Sequence, residues 1–274
     1  MKKLLKLFVI VTVSLFLTGC IQLQTKIFVN KDGSGTLEET VLMSKEMIKM
    51  MNEFIMGFTV DTTEVEEFNL YNEEDLKNRV SELGEGVTFV AGTEIKEEDK
   101  EGYKVVYNFS AINKIRIDQN PDSRIPTDSA NIEMQDKEYV TFNFNPGDIS
   151  EIKIKMPFKQ EEYEKEEETE EEIEASKDSL GEADISQMKF FIKDLSMSFV
   201  IDVEGEITET NSDYQQENSI TLFNLSFGEL LDNTQKLKEL KKINPDNLLE
   251  LKEIMKDIPG IKIETHDPVI IKFR

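Results

Sequence analysis

From Gln22 to Val29 the chain alternates: Leu23, Thr25, Ile27 and Val29 occupy one set of positions, Gln22, Gln24 and Lys26 the other. A period of two sends each set to its own face of an extended strand, so this segment reads as a strand with one buried face. The turn formers Asn30-Lys31-Asp32-Gly33-Ser34-Gly35 follow, and Thr36 to Met43 returns as a second strand. A β-hairpin therefore opens the fold, with at least one of Gly33 and Gly35 expected at positive φ. Hydrophobic residues make up 38% of the chain and include 17 phenylalanines, enough for a packed core.

Beyond the hairpin the period changes. Ser44 is placed to cap a helix over Lys45 to Phe58, whose Met47, Ile48, Met51, Phe54, Ile55 and Phe58 share one face. Asn72 caps a second helix running to Leu83, with Glu73, Glu74 and Asp75 at its positive end and Gly84 as its stop. Strands are expected over Val87–Ile95 and Tyr103–Phe109, with shorter ones over Ile112–Ile117, Tyr139–Phe144 and Ile149–Met156; the proline-containing stretch 120–130 is a loop. Asp184-Ile185-Ser186-Gln187 has capping-box form and opens a helix with Ile185, Met188, Phe191, Ile192 and Leu195 inward. A long hairpin (Ser198–Thr208 and Ser219–Phe227), helices over Glu229–Ile243 and Pro245–Ile258, and a closing pair, Ile261–Glu264 and Val269–Phe273, complete the pattern.

Ten of the fourteen residues from Glu161 to Glu174 are glutamate, with Lys165 the only base. So charged a block repels itself and stays out of a core, which marks a solvated connection. The chain thus divides into residues 1–19, an N-terminal α+β region 20–158, an acidic loop 159–180 and a C-terminal α+β region 181–274. The expected class is α+β, with antiparallel hairpins and helix pairs packed on one side of the sheet. Residues 25–109 and 197–273 share the order hairpin, two helices, hairpin. Two similar subdomains would produce this order, and so would a recurrent way of covering a sheet.

Residues 1–19 carry a separate signal. Lys2, Lys3 and Lys6 precede the apolar run Leu7–Leu17, the anatomy of a secretory signal and too short to span a bilayer. The ending Leu17-Thr18-Gly19-Cys20 resembles the lipobox of bacterial lipoproteins, which implies diacylation of Cys20 and cleavage before it. An ordinary signal peptide with a coincidental cysteine is the alternative. Cys20 is the only cysteine in the chain, so no intrachain disulfide forms and packing must supply the stability. Removing residues 1–19 takes away three lysines and no acids, leaving 29 basic against 56 acidic residues, a formal charge of −27. That charge argues against a nucleic-acid partner and against flat docking on anionic headgroups, leaving the acyl chains of Cys20 to hold the protein to a membrane.

Few side chains suggest chemistry. Asn30, Asp32 and Ser34 match the first ligand positions of an EF-hand loop, but the bidentate Glu required at its twelfth position is Val41, so a hairpin turn is expected instead. Met47, Met50, Met51 and Met56 have no Cys or His nearby to complete a soft-metal site, and no metal or other cofactor is expected. His266, the single histidine, sits in a Thr265–Pro268 turn. Gly-x-Ser-x-Gly, His-Glu-x-x-His and phosphate-cradling glycine loops are all absent from the sequence, so catalysis has no positive support. An apolar groove for a lipid would lie beside Met47, Met51 and Phe54 or Met188, Phe191 and Ile192.

Two segments carry a family resemblance: Cys20 followed by Lys26 to Thr36, and Val203 to Ser212 followed by Asn218-Ser219-Ile220-Thr221-Leu222. Together they resemble the LppM-type bacterial lipoproteins, which pair an opening strand ending in Asp-Gly-Ser-Gly with a later Gly-x-Ile/Val-x-x-x-Asn hairpin. The acidic insertion and Leu222-Phe223, where a Trp is common, depart from that pattern. The resemblance implies a lipid-anchored envelope protein with an α+β extracytoplasmic domain that contacts lipids or glycolipids, and it transfers no catalytic residue. The reading is therefore a non-enzymatic binding or structural module, held to a membrane through Cys20, with a lipid or envelope protein as ligand. Its place is the outer membrane of a Gram-negative cell or the outer face of a single plasma membrane. The rival is an envelope hydrolase or metal-dependent enzyme built from scattered carboxylates.

Overall fold

The computed structural model describes residues 21–58, 68–118, 139–157, 195–240 and 248–274. The opening hairpin forms as expected, from β1 (Ile21–Val29) and β2 (Gly35–Ser44), paired antiparallel from Ile21↔Met43 to Val29↔Gly35. Helix α1 (Lys45–Phe58) begins directly after it, where the Ser44 hydroxyl accepts a hydrogen bond from the Met47 N–H. Helix α2 (Glu73–Asn78) is capped by the Asn72 side chain, which accepts from the Glu74 and Asp75 N–H groups. The expected single helix is interrupted at Arg79 and resumes as α3 (Val80–Leu83), stopping at Gly84. Strands β3 (Val87–Lys96) and β4 (Lys100–Phe109) then form a second hairpin. Where one strand over Ile112–Ile117 was expected, there is a 3-10 turn (Ile112–Lys114) and a short β5 (Arg116–Asp118). The Ile112 N–H is drawn to the Gly33 carbonyl and its side chain is fully buried, which bends the chain out of line.

The remaining described elements are β6 (Tyr139–Asn145), β7 (Ser150–Lys155), β8 (Leu195–Val203), β9 (Ile207–Thr210), β10 (Gln215–Gln216), β11 (Ser219–Ser226), α4 (Phe227–Asp232), α5 (Thr234–Leu240), α6 (Leu248–Met255), β12 (Lys262–Ile263) and β13 (Val269–Phe273). They build an eight-stranded sheet in the order β10-β11-β8-β1-β2-β4-β3, with β12 on β11, and a five-stranded sheet in the order β5-β6-β7-β13-β9. The class is α+β with antiparallel sheets, apart from one parallel pair, β1 with β8. Strands from both sides of the acidic run enter both sheets. The acidic loop itself and the 120–130 loop lie outside the described residues.

One face of the large sheet is the core face. Leu23, Ile27 and Val29 of β1 line up with Val41 and Leu37 of β2, Tyr103 and Tyr107 of β4, and Met197, Ile201 and Val203 of β8. On the other face Lys26 pairs with the largely buried Asp202 at 2.6 Å, and Lys104 pairs with Glu38 at 2.8 Å in a more exposed position. Met47 of α1, Leu76 of α2 and Leu83 of α3 pack on the core face, together with Val140, Ile152, Ile154, Ile271 and Phe273 of the smaller sheet. Leu230, Met255, Ile258, Ile261 and Ile263 form a satellite cluster under α4 and α6, joined to the main core through Leu225.

Four expectations about the C-terminal region are corrected. Leu195 is the first residue of β8 rather than the last inward residue of a helix, because it pairs in register with Ile21. The expected strand Ser198–Thr208 is two strands in two sheets. Gly205 at φ +91° turns the chain between them, Glu204 N–H donates to the Val29 carbonyl, and Glu206 exchanges backbone hydrogen bonds with Arg274. A Cβ at residue 205 would sit 2.2 Å from the Arg274 carbonyl oxygen, so this crossing needs glycine. The closing strands do not pair with each other, since β12 joins β11 while β13 lies between β7 and β9. The helix expected over Glu229–Ile243 also starts earlier and breaks at Asn233, whose side chain accepts from the Lys236 N–H and caps α5.

The first turn settles the EF-hand comparison on geometry. Asp32 Oδ1 accepts from both the N–H and the hydroxyl of Ser34, at 2.9 and 2.6 Å, and Gly33 takes φ +84°. The Ser34 hydroxyl and N–H hold the Asp32 carboxyl below its ordinary value. Millimolar calcium is therefore expected to leave the melting temperature unchanged, and a rise of several degrees in a thermal scan would contradict the hairpin assignment.

Candidate functional site

An apolar cavity of about 280 Å³ lies on the core face of the large sheet, under the C-terminal helices. Met197 of β8, Phe223 and Leu225 of β11 and Ile263 of β12 form its floor; Phe227, Leu230, Leu251 and Met255 of α4 and α6 form its roof, with Ile261 and Ser226 at the margin. Phe223 stands edge-on to Phe199 at 5.9 Å between ring centres, which fixes that wall. The space is open to the surface on one side, and an apolar concavity of this size is a candidate binding site.

Behind the cavity a polar latch ties α6 to the sheet. Lys252, next to Leu251, donates to Asp213 Oδ2 at 2.5 Å and to the Thr265 hydroxyl at 3.1 Å. Glu264, next to Ile263, has a fully buried side chain. Its Oε2 accepts from the Ser212 hydroxyl and the Asp213 N–H, and its Oε1 from the N–H groups of Thr265 and His266. His266 Nδ1 lies 2.7 Å from the same Oε1, so the single histidine is tied to a buried carboxylate and not simply exposed. Asp213, Glu264 and His266 bring three potential metal-ligand atoms within 4.8 Å of one another. The carboxylate oxygens of Glu264 are already committed to these donors, and Asp213 to Lys252, which makes the group a structural hub.

Burial alone would raise the Glu264 carboxyl, but hydrogen bonds from Ser212, His266 and Asp213 outweigh it and hold it below its ordinary value of 4.5. A depressed carboxyl stabilises the fold above its unfolded pKa, and that contribution disappears as pH falls through the folded value. Glu264→Gln is therefore expected to cost about 2 kcal/mol at neutral pH. The gap from wild type should shrink as pH drops below 4.5. Urea midpoints measured at a series of pH values check this, and a gap that is constant with pH would contradict it.

The core face also carries a buried charge pair. Glu39 sits at an inward position of β2, and Arg79, between α2 and α3, reaches it with hydrogen bonds of 2.8 and 3.4 Å. Thr25, beside Glu39 in β1, has a buried hydroxyl without a hydrogen-bond partner, as does Arg79 Nε. The cleft next to this pair measures only about 10 Å³, room for a single water at most.

The described residues expected to line a groove do not line this cavity. Met47 is buried in the main core and Met51 packs against it; Phe54 belongs to α1. Met188, Phe191 and Ile192 lie outside the described residues, as do Leu17, Thr18, Gly19 and Cys20. The cavity residues do carry a sequence signal. Phe227 and Leu230, and Leu251 and Met255, stand at helical spacing. That spacing announces a buried face without saying whether the space it faces is full. Glu39 had a signal as well, being a charge at an apolar strand position, which demands a partner.

No helix among the described residues is long and apolar enough to cross a membrane. No family model matches the chain, and no curated protein does. One solved structure to which it is similar is the folded domain of Mycobacterium tuberculosis LppM, determined by NMR. The match covers 95% of this chain and 93% of that one, at 9% sequence identity and a TM-score of 0.34.

Proposed function

We propose that this protein is a lipid-anchored, non-enzymatic binding module of the cell envelope whose cavity receives an acyl chain of a lipid or glycolipid. The observation that carries the reading is the cavity's lining, in which Ser226 is the one polar residue among the ten described residues. Counting roughly 30 Å³ for each water-sized group, the space takes about nine methylenes of one chain. Burying them is worth about 7 kcal/mol before the cost of immobilising the ligand. The acyl anchor on Cys20 would keep the module at a bilayer, where such chains are the abundant solute. The hydrolase alternative draws on the Asp213–Glu264–His266 group, whose acceptors are already occupied, so binding is the better reading.

The mature chain, residues 20–274, keeps every core residue among the described residues, the first fully buried one being Leu23. With Cys20→Ser to remove acylation, it is expected to bind the fluorescent fatty acid cis-parinaric acid at one per chain. Leu251→Trp, a half-buried wall position enlarged into the space, should abolish binding while cooperative unfolding is retained. Equal binding by the Leu251→Trp variant would show that the probe sits elsewhere, and no binding by either would remove the lipid ligand.

A further inference from the structure

The cavity lies at the end of the sheet where the acyl anchor is attached. In register, Ile21 of β1 pairs with Leu195 of β8, and Leu23 pairs with Met197, which forms the cavity floor. Met197 pairs in turn with Leu225, and Ser196 with Ser226. Two residues of rise and one strand spacing put Met197 about 8 Å from Ile21, and residue 20 adds no more than about 3.8 Å to that span. Cys20 is therefore within about 12 Å of the cavity floor in whatever direction it points. A lipid chain that crosses one leaflet is about 15 Å long, so a chain attached at Cys20 reaches into the cavity without any rearrangement of the sheet. The space holds a single chain, whereas a diacylated cysteine carries two.

We propose that, away from a bilayer, the cavity stows one acyl chain of the protein's own Cys20 anchor, and that an incoming lipid takes the place of that chain. The inference rests on the acyl-binding reading of the cavity and on acylation of Cys20. Apolar chains are excluded from water, so an acylated protein in aqueous transit must either bury them or self-associate. Stowing one chain covers part of that surface. It also couples anchoring to ligand binding, because the anchor returns to the membrane when the site is filled.

The test compares two forms of the mature chain in detergent-free buffer: one acylated at Cys20, the other carrying Cys20→Ser. Each is titrated with cis-parinaric acid, and its association state is followed by sedimentation. The Cys20→Ser chain is expected to bind one probe. The acylated chain should bind at least about tenfold more weakly and should remain monomeric. Introducing Leu251→Trp into the acylated chain should expel the stowed chain and drive self-association. Equal probe affinity in the two forms, or micelle-like assembly of the acylated protein before that substitution, overturns the stowing proposal and leaves the acyl-binding reading standing. Failure of the Cys20→Ser chain to bind removes the acyl-binding reading, and stowing falls with it.

Discussion

Replacing Glu39 by alanine is expected to destabilise the protein by about 3–5 kcal/mol, because it leaves the Arg79 guanidinium inside the core without its carboxylate. The Glu39 side chain is 1% exposed and that of Arg79 16%, and the two share the bonds of 2.8 and 3.4 Å. Burial works against the charge on Arg79, yet the nearby Glu39 carboxylate outweighs it and holds the guanidinium charged well above its usual range. Tyr107 lies against the same pair, donates its hydroxyl to the Leu76 carbonyl at 2.8 Å, and is itself pushed up by burial. Arg79→Ala should cost a similar amount for the mirror-image reason. The double variant Glu39→Leu/Arg79→Met should lose much less than either single change, because two desolvated charges are exchanged for apolar packing. Urea denaturation of the three variants checks this. A Glu39→Ala cost within about 0.5 kcal/mol, the range of an ordinary surface change, would mean that the pair is solvated after all.

The second large effect concerns the anchor. Cys20→Ser in the full chain is expected to reduce incorporation of labelled palmitate to background and to leave an uncleaved precursor carrying Lys2, Lys3 and Lys6. In the mature form, the same substitution should abolish co-flotation with anionic vesicles. Each buried methylene of an acyl chain contributes about 0.8 kcal/mol, and a surface with a formal charge of −27 supplies no basic patch to compensate for their loss. Equal labelling of wild type and variant would end the lipoprotein reading. Flotation of the unacylated mature chain would instead point to a second membrane contact.

What the sequence by itself determined lies within reach of a few neighbouring residues. The alternation from Gln22 to Val29 and the Asn30–Gly35 turn specify a hairpin, because a period of two and a glycine at positive φ leave the backbone little choice. Helix α1 runs over Lys45–Phe58 and α2 starts at Glu73 behind its Asn72 cap, since capping side chains bond N–H groups only two or three residues away. The side of the sheet that the helices cover follows from the same alternation. The tertiary structure alone decided the parallel pairing of β1 with β8, the crossing at Gly205, the separation of β12 from β13, and the choice of Arg79 as partner for Glu39, forty positions away. Loop-closure entropy changes slowly with loop length, so chain separation barely discriminates among distant partners; selection falls to the packing of whole faces. The cavity belongs to this second group. Phe223, Leu230, Leu251 and Ile263 are as apolar as any core residue, and only the spacing of the backbones that carry them decides whether their side chains meet or leave room for a chain.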